Sequence, residues 1–357
     1  MSLLKLNGKL SNQQGLLLGV GGFALLFLVW FLITAGEHPL FPSYILPKPG
    51  NVLSSFGSLY RDNDIIRNTC LSLGLNLAGY LEAILIAIPL GFLIGLIPLL
   101  KGLTQRQVDA IRYVPLTAVT GLFIVWFGTS TAMKVHFLAF GILIYLLPVV
   151  MVRVNEVEDV YLKTVYTLGA SNWQTVKTVY IPSVLSRLTD DIRVLTAISW
   201  TYIIVAEGIG STGGIGSLIW RAGIRQGRVD KVFAMLIIIM VIGIIQDKIF
   251  IYLDRVFFPH KYQDDTDVKL KVGETSTVDL IWNFITSIGV WIIIGIYLLL
   301  FIDNLVPVLG SQKILPYLFG DTTFAIHLIM WSVIGFQIYH YFRKRQDTLP
   351  AKKSVNG

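Results

Sequence analysis

The sequence predicts an all-α integral membrane protein, and three observations support this prediction. Of its 357 residues, 54% are hydrophobic and only 14% are charged, and the mean hydropathy is +0.68. A soluble domain usually carries about 25% charged residues. Apolar segments close to the roughly 20 residues that cross a bilayer recur along the chain. Lys and Arg residues gather at the ends of these segments, as the positive-inside rule expects.

Eight apolar segments are predicted to span the membrane. The first follows a polar start and has no small-residue cleavage site after it, so we expect a retained span rather than a signal peptide. The segments are 16–34, 71–97, 114–128, 135–152, 192–206, 232–253, 280–301 and 324–342. The second contains Gly91 and Gly95, a small-xxx-small pair that permits close helix packing but also occurs by chance.

Positive charges near the span ends place both termini in the cytoplasm. The predicted organisation is a cytoplasmic N-terminus, a six-span domain, a linker, a two-helix C-terminal membrane extension and a cytoplasmic tail. These parts cover 1–14, 15–262, 263–278, 279–343 and 344–357, and the six-span domain has a cytoplasmic loop at 153–190. One basic group, Arg221, Arg225 and Arg228, resists this assignment because it would lie outside.

Several classes of protein are disfavoured by composition. The single cysteine, Cys70, excludes an intramolecular disulfide. The five histidines include no pair with the i, i+4 spacing of metal ligands, so no metal site is predicted. The net charge of +7 is spread over span ends rather than gathered into a nucleic-acid-binding face.

The 153–190 loop is predicted to form two short helices around a turn. Apolar residues recur at helical spacing from Val157 to Leu168, and Gly169 then ends the first helix. Ser171 is a candidate N-cap for the second helix, and Pro182 is expected to mark the next break. An apolar face on a cytoplasmic hairpin favours docking of another protein. The alternative is a structural hairpin that packs on its own membrane domain.

The stretch "TLGASNWQTVKTVYIP", residues 167–182, resembles the cytoplasmic coupling motif of ABC importer permeases. In that motif a Glu-Ala-Ala triplet precedes a Gly, and an apolar residue and Leu-Pro follow at a fixed distance. Gly169, Val179, Ile181 and Pro182 keep this spacing. The triplet falls on Lys-Thr-Val at 163–165, so the docking chemistry upstream of the turn departs from the family pattern.

Four further segments are similar to the nitrate, sulfonate, taurine and bicarbonate branch of these permeases. They are "LFPSYILPKPGNV", "FIVWFG", "VAEGIGSTGGIGSLIW" and "VDKVFAMLIIIMVIGIIQDKIF", and the collinear match covers 16–262. The resemblance implies a type I ABC importer transmembrane domain of about six helices. The two C-terminal spans are additional to the usual permease of that branch.

The resemblance implies a permease subunit of the prokaryotic inner membrane that has no ATPase site and binds no cofactor. The sequence agrees, because it lacks a G-x-x-x-x-G-K-[ST] loop. ATP and Mg would bind a separate ATPase pair, and a substrate-binding protein and a second permease copy would complete the complex. The loop residues expected to couple to the ATPase are Tyr166, Leu168, Gly169, Ala170, Ser171, Trp173 and Pro182. For Trp173, an interfacial position at headgroup depth is the alternative.

Ionisable and aromatic residues inside spans are the candidates for the pathway. Glu207 precedes the Gly-rich run "GIGSTGGIG", which cannot remain a regular helix, and such backbone is tolerated where it lines a cavity. The alternative for Glu207 is structural pairing, with Arg221 or Arg225 as partner. Trp126, Trp200 and Tyr202 are further candidates, with packing as their alternative. Asp247 is expected near the inner surface.

The solute is expected to be a small anion, with a small organic heterocycle as the alternative. Arg221, Arg225 and Arg228 at the outer mouth would raise the local anion concentration, meet an acidic binding protein or anchor the interface. A self-sufficient secondary transporter or channel is the competing function, but it has no need of a cytoplasmic docking hairpin. A membrane-embedded enzyme would need a nucleophile-base or metal constellation, and the sequence offers none.

Overall fold

The computed structural model describes residues 10–36, 39–209, 213–259, 261–262, 277–306 and 313–348, and within them every regular element is helical. The predicted 263–278 linker therefore lies almost entirely outside the described residues, as do 1–9 and 349–357 of the two predicted termini. The helices are α1 Asn12–Thr34, α2 Pro49–Asp62, α3 Ile65–Leu96, α4 Pro98–Ile111, α5 Leu116–Phe127, α6 Thr131–Asn155, α7 Asp159–Thr167, α8 Asn172–Thr175, α9 Ile181–Gly208, α10 Ile215–Trp220, α11 Val229–Phe257, α12 Thr277–Leu305, α13 Ile314–Phe319 and α14 Thr323–Thr348.

Six helices in the described part of the chain are long and apolar enough to cross a membrane. Their apolar stretches are Gln13–Thr34, Ile65–Leu96, Thr131–Asn155, Val229–Phe257, Phe284–Leu305 and Ile314–Tyr339. A seventh span results if α4 and α5, which are bent by 103° at their junction, count as one. The chain is thus a multi-pass membrane protein of about six spans rather than the eight that the apolar segments predicted.

Two of the predicted spans differ from the structure. The 114–128 segment is only the twelve-residue α5, because the chain breaks at Pro115 and turns sharply into α4. The 192–206 segment belongs to α9, which begins at Ile181 and is not among the six candidates. The first half of α9 carries four charged residues, Arg187, Asp190, Asp191 and Arg193. The apolar part of α9 is therefore shorter than the roughly 20 residues that cross a bilayer.

The tightest packing joins α3 and α6, and glycines on α3 make it possible. A Cβ added at Gly91 would lie 2.5 Å from Val150, and one at Gly95 would lie 3.0 Å from Val154. Side chains larger than hydrogen would hold the helices apart. The prediction that the Gly91–Gly95 pair permits close helix packing is therefore confirmed.

The other helices that precede α12 surround this pair. Helix α9 packs on α6 and α11, α10 is folded back against α9 and α3, and α2 lies on α11. The buried core of these contacts includes Ala83, Leu146, Leu188 and Ile203. Helix α1 is exposed along nearly its whole length, and Trp30 stacks on Phe233 of α11 with ring centroids 6.1 Å apart. The apolar exposed surface of α1 is what lipid contact requires.

The C-terminal helices dock on the permease-like part of the chain. Segment α13 and the following turn lie across α3, where the Arg67 Nε–H donates to the carbonyl of Tyr317 at 3.1 Å. Gly74 provides the space, because its added Cβ would lie 3.4 Å from the Cβ of Thr322 and 3.1 Å from Phe319. Helices α12 and α14 share a core with α11 through Ile249 and Tyr252. The two extra helices are thus packed against α3 and α11.

Candidate functional site

The 153–190 loop contains the predicted hairpin, and its turn is closed by backbone hydrogen bonds. Helix α7 ends at Thr167, and Gly169 adopts φ +79°, a left-handed conformation that glycine reaches without steric cost. The N–H of Gly169 donates to Tyr166 O and the N–H of Ala170 donates to Val165 O, both at 3.0 Å. This pair of bonds is the Schellman motif, so the predicted helix stop at Gly169 is confirmed.

The second helix of the hairpin begins at the predicted cap. The Ser171 hydroxyl accepts from the N–H of Gln174, and the Gln174 side chain accepts from the N–H of Ser171 at 2.8 Å, which completes a capping box. The break expected at Pro182 is absent. Helix α8 runs through a π-helical turn, Val176–Tyr180, directly into α9. Pro182 is the second residue of α9 and directly follows the π-helical turn.

The tip of the hairpin presents apolar side chains to the outside of the molecule. Leu168 is 81% exposed and Trp173 is 70% exposed, and Tyr166 is also exposed. By contrast, Thr175 behind the tip is buried, and Val179 packs against the main core. The hairpin is therefore anchored at its base and unpartnered at its tip.

Ion pairs connect the base of the hairpin to three helices, and we call this group the charged belt. Arg153 of α6 binds Asp191 of α9 through two bonds of 2.7 and 2.8 Å. Arg193 of α9 pairs with Asp247 of α11 at 2.9 Å. Lys261 donates to Asp190 at 2.6 Å and to Asp254, Thr189 donates to Asp254, and Arg153 also pairs with Glu156. The belt couples α6, α9 and α11 where the hairpin leaves them.

At the other end of α9, Glu207 is fully buried in a polar cluster with α3 and α10. The Ser72 hydroxyl lies 2.7 Å from one carboxylate oxygen of Glu207, and the N–H of Gly216 donates to the other at 2.7 Å. Ser72 also accepts from the N–H of Ile215, and Asn68 accepts from the N–H of Gly214. The structure thus corrects the predicted pairing of Glu207 with Arg221 or Arg225. Together with Lys134, these residues form what we call the Glu207 cluster.

Glycines in the segment after Glu207 allow the chain to fold back on the carboxylate. A Cβ at Gly216 would lie 2.8 Å from the backbone of Ile204 and 2.9 Å from Glu207. Gly214 has φ +104° and its Cβ position falls on the Glu207 carboxylate itself. Residues 210–212 of the predicted Gly-rich run lie outside the described residues. Between Gly213 and Trp220 the chain re-enters the fold as the short α10.

Lys134 of α6 contributes positive charge to this cluster. It is only 2% exposed, and its charge acts on Glu207. Sequence reasoning missed Lys134, Asn68 and Ser72. The signal for the latter two was present, because Asn68, Ser72 and Asn76 recur every four residues in an apolar span and share one helix face. Asn76 extends the polar face inward, with its amide donating to Ser199 at 2.9 Å.

The aromatic pathway candidates occupy different environments. Trp200 is buried and its indole N–H donates to Gln246 of α11 at 3.1 Å, which agrees with the packing alternative. Trp126 on α5 is 63% exposed. Tyr202 is half-buried and lines a cleft beside Tyr145.

The ionisable Glu82 contacts the His136 ring at 2.8 Å.

The three arginines of the predicted outer mouth differ in their surroundings. Arg221 and Arg225 lie on a π-helical turn after α10, next to Gln226 and exposed to the outside. Arg228 pairs with Asp230 through bonds of 2.9 and 2.7 Å, and this hydrogen bonding raises the pKa of the Arg228 guanidinium. The negative partner reduces what Arg228 can offer to an anion.

The described helices make up a multi-pass membrane protein, with an exposed hairpin before α9 and a buried polar cluster at the end of α9. Residues 83–257 match the family model described as "Binding-protein-dependent transport system inner membrane component". This part of the chain belongs to that family, and the chain is a permease subunit of an ABC importer. The family partners in general are an ATPase and a substrate-binding protein.

The chain is similar to individual transport proteins. The chain is 27% identical over 227 residues to the taurine transport system permease protein TauC of Escherichia coli (strain K12), covering 62% of this chain and 80% of TauC. It is 29% identical over 259 residues to the putative aliphatic sulfonates transport permease protein SsuC of Bacillus subtilis (strain 168), covering 68% and 86%. A solved bacterial ABC transporter involved in import of the acidic polysaccharide alginate aligns with a TM-score of 0.46 and 16% identity, covering 67% of this chain and 95% of that chain.

Proposed function

We propose that this chain forms the path for a small organic sulfonate in an ATP-driven importer and takes its movement from an ATPase docked on the 153–190 loop. The observation that carries the proposal is the hairpin tip. Leu168 and Trp173 are 81% and 70% exposed on a turn held by a Schellman motif and a capping box. A rigid apolar tip with polar surroundings is suited to a pocket on a partner protein.

The hairpin is a lever because helix continues from its tip into the membrane. From Asn172 to Gly208 the chain is helical without interruption. At 1.5 Å per residue, this run is roughly 55 Å long. Movement of the tip would pass along α9 to Glu207 and the re-entrant α10, while the charged belt carries it to α6 and α11. Interfaces of this kind switch between discrete packings.

The solute class rests on the relatives. TauC and SsuC are named for taurine and aliphatic sulfonates, and this chain has a basic surface at Arg221 and Arg225 that would attract an anion. Nitrate and bicarbonate share the negative charge but not the organic tail. A small organic heterocycle remains the alternative, and it would gain nothing from positive charge.

The assembly proposed for this chain contains two permease copies in a prokaryotic inner membrane, with both termini in the cytoplasm. Two ATPase subunits bind ATP and Mg and hydrolyse the ATP, and this chain binds no cofactor. The outer arginines would then face a substrate-binding protein. The basic groups near the span ends support this orientation.

The proposal is tested with the purified complex, using Leu168→Asp and Leu40→Asp. Both leucines are about equally exposed, at 81% and 78%, so neither change should unfold the chain. We expect Leu168→Asp to lose co-purification with the ATPase and solute-stimulated ATP hydrolysis, while Leu40→Asp keeps both. Equal co-purification and hydrolysis in the two variants would contradict the docking role. Uptake by this chain alone, without any ATPase, would support the secondary-transporter alternative.

A further inference from the structure

The sharp bend between α4 and α5 opens a cleft that is separate from the Glu207 cluster. The two helices meet at 103° and, with α6 and α9, they enclose a volume of about 540 Å³. This volume lies within the roughly 300–1,000 Å³ range of small-molecule sites. The cleft is partly open rather than enclosed.

The width of the cleft is set by one glycine on α6. A Cβ added at Gly141 would lie 2.7 Å from Leu116 and 2.9 Å from the ring of Tyr202. Because position 141 has no side chain, α5 and α9 both approach α6 closely at this depth. Tyr202 and Tyr145 both line the cleft. The cleft is a fixed feature of the packing.

The polar lining combines one positive charge with hydroxyl groups. Among the described residues that line the cleft, Arg112 is the only one with a formal charge, and Tyr113, Thr117, Tyr145 and Tyr202 supply hydroxyls. Asp109 is the nearest acidic group, and its Oδ1 lies 3.9 Å from Arg112 Nη2 with both side chains nearly half exposed. Such a pair is weak. The guanidinium therefore remains able to bind a stronger oxyanion partner.

Part of the cleft lining forms an apolar wall. Leu116, Phe137 and Val205 line it beside the tyrosines. A guanidinium can donate two parallel hydrogen bonds to an oxyanion, and hydroxyls can donate to its remaining oxygen. An apolar wall suits an alkyl chain. No acidic side chain of the described lining would face an ammonium group.

We propose that this cleft binds an alkanesulfonate during transport, with the sulfonate on Arg112 and the tyrosine hydroxyls and the alkyl chain on Leu116, Phe137 and Val205. The inference rests on the proposed importer function and adds the substrate site and its preference. The site discriminates against taurine, because the ammonium of taurine would lie against the apolar wall without a partner. Arg112 is then a binding residue of the transport path.

The experiment uses the complex reconstituted in nanodiscs with its ATPase and binding-protein subunits. ATP hydrolysis is measured against concentration of ethanesulfonate and, separately, of taurine. The variants are Arg112→Gln, Arg112→Lys and Tyr202→Phe. The matched control is Arg106→Gln, one exposed α4 arginine that does not line the cleft.

We expect ethanesulfonate to stimulate hydrolysis in the wild type at lower concentration than taurine does. Arg112→Gln should raise the half-saturating concentration about tenfold or more, since a charge-assisted pair is lost. Arg112→Lys should recover part of this loss, and Tyr202→Phe should give a smaller increase. Basal hydrolysis without solute and the half-saturating concentration should both be unchanged in Arg106→Gln.

Two results would overturn the assignment. One is an unchanged half-saturating concentration in Arg112→Gln, and the other is no response of the wild type to either sulfonate. A taurine response at lower concentration than that of ethanesulfonate would overturn the apolar-wall preference. If an ATPase co-purifies and basal hydrolysis persists in these cases, the importer function stands and only the cleft assignment fails. Absence of any ATPase from the complex would instead overturn the importer function.

Discussion

The carboxylate of Glu207 and the hydroxyl of Ser72 lie 2.7 Å apart in the interior of the protein, and the hydroxyl donates the hydrogen bond. The carboxylate also accepts from the N–H of Gly216. A single buried side chain therefore joins the end of α9, the N-terminal half of α3 and the start of α10. The segment from Gly214 to Gly216 is held by polar contacts as well as by apolar packing. Such hydrogen bonds are either formed or broken.

Replacing Glu207 by Ala should destabilise the protein. The change removes the bond from Ser72 and leaves the N–H of Gly216 without its buried acceptor, and an unpaired buried donor costs about 1–3 kcal/mol. Glu207→Gln keeps one acceptor and should cost less. The measurement is thermal unfolding of the purified chain in detergent, with exposed Asp62→Ala as control. Equal midpoints for Glu207→Ala and Asp62→Ala would show that the buried bonds contribute nothing.

Adding a side chain at Gly91 should separate α3 from α6. A Leu at this position would overlap Val150, whose Cγ1 is 2.5 Å from the added Cβ, whereas Gly243 on α11 has open space around it. We expect Gly91→Leu to lower the unfolding temperature and the yield of folded protein, and Gly243→Leu to leave both nearly unchanged. Overpacking typically costs about 1–3 kcal/mol. An equally stable Gly91→Leu variant would mean that the two helices are not in close contact.

The C-terminal extension should be linkable to α3 by a disulfide. The Cβ positions of residues 74 and 322 lie 3.4 Å apart, close to the roughly 3.8 Å that a disulfide requires. In a Cys70→Ser background, Gly74→Cys with Thr322→Cys should crosslink under mild oxidation, detected by a mobility shift after cleavage of the chain between them. A Gly74→Cys, Gly335→Cys pair serves as the control, because an added Cβ at Gly335 has nothing within 4 Å. Crosslinking of both pairs, or of neither, would contradict the docking of α13 on α3.

The ion pair between Arg153 and Asp191 should be energetically coupled, unlike a looser pair elsewhere. The two side chains form two short bonds and are 29% and 20% exposed. A double-mutant cycle with Arg153→Ala and Asp191→Ala should give a coupling energy of about 1–3 kcal/mol. The same cycle on Arg112 and Asp109, 3.9 Å apart and nearly half exposed, should give less than about 0.5 kcal/mol. Similar values in the two cycles would argue against a structural role for the belt.

Local patterns in the sequence predicted the hairpin well. Gly169 and Ser171 act through their own backbone geometry and hydroxyl, so a helix stop and a helix start can be recognised without knowing the rest of the fold. Pro182 was misjudged because a proline is accepted in the first turn of a helix as readily as after its end. Whether Pro182 ends one helix or begins the next depends on the π-helical turn Val176–Tyr180 before it. No residue of the segment predicts that turn.

The membrane spans were predicted in number only approximately. Hydropathy counts residues along the chain and does not register a bend. It therefore made 114–128 a span of its own, although this segment is only α5, which meets the preceding α4 at 103°. Hydropathy also placed the start of the fifth span at Ile192, whereas α9 begins at Ile181. The longer helix is possible because the charges of its first half are satisfied by the belt. Paired charges are compatible with a long helix, and the pairs form only between distant segments.

The sequence alone determined that this chain is an α-helical membrane protein with a helical hairpin between two of its long helices, because apolar run length, glycine and capping residues act over a few neighbours. The tertiary structure alone decided what Glu207 binds, where Arg112 lies and which surface the last two helices cover. Ser72 is 135 residues from Glu207 along the chain, and Arg112 meets Tyr145 and Tyr202 only where three helices converge. Contacts over such separations depend on how helices pack, and helix packing is set by the shapes of whole surfaces rather than by any local pattern.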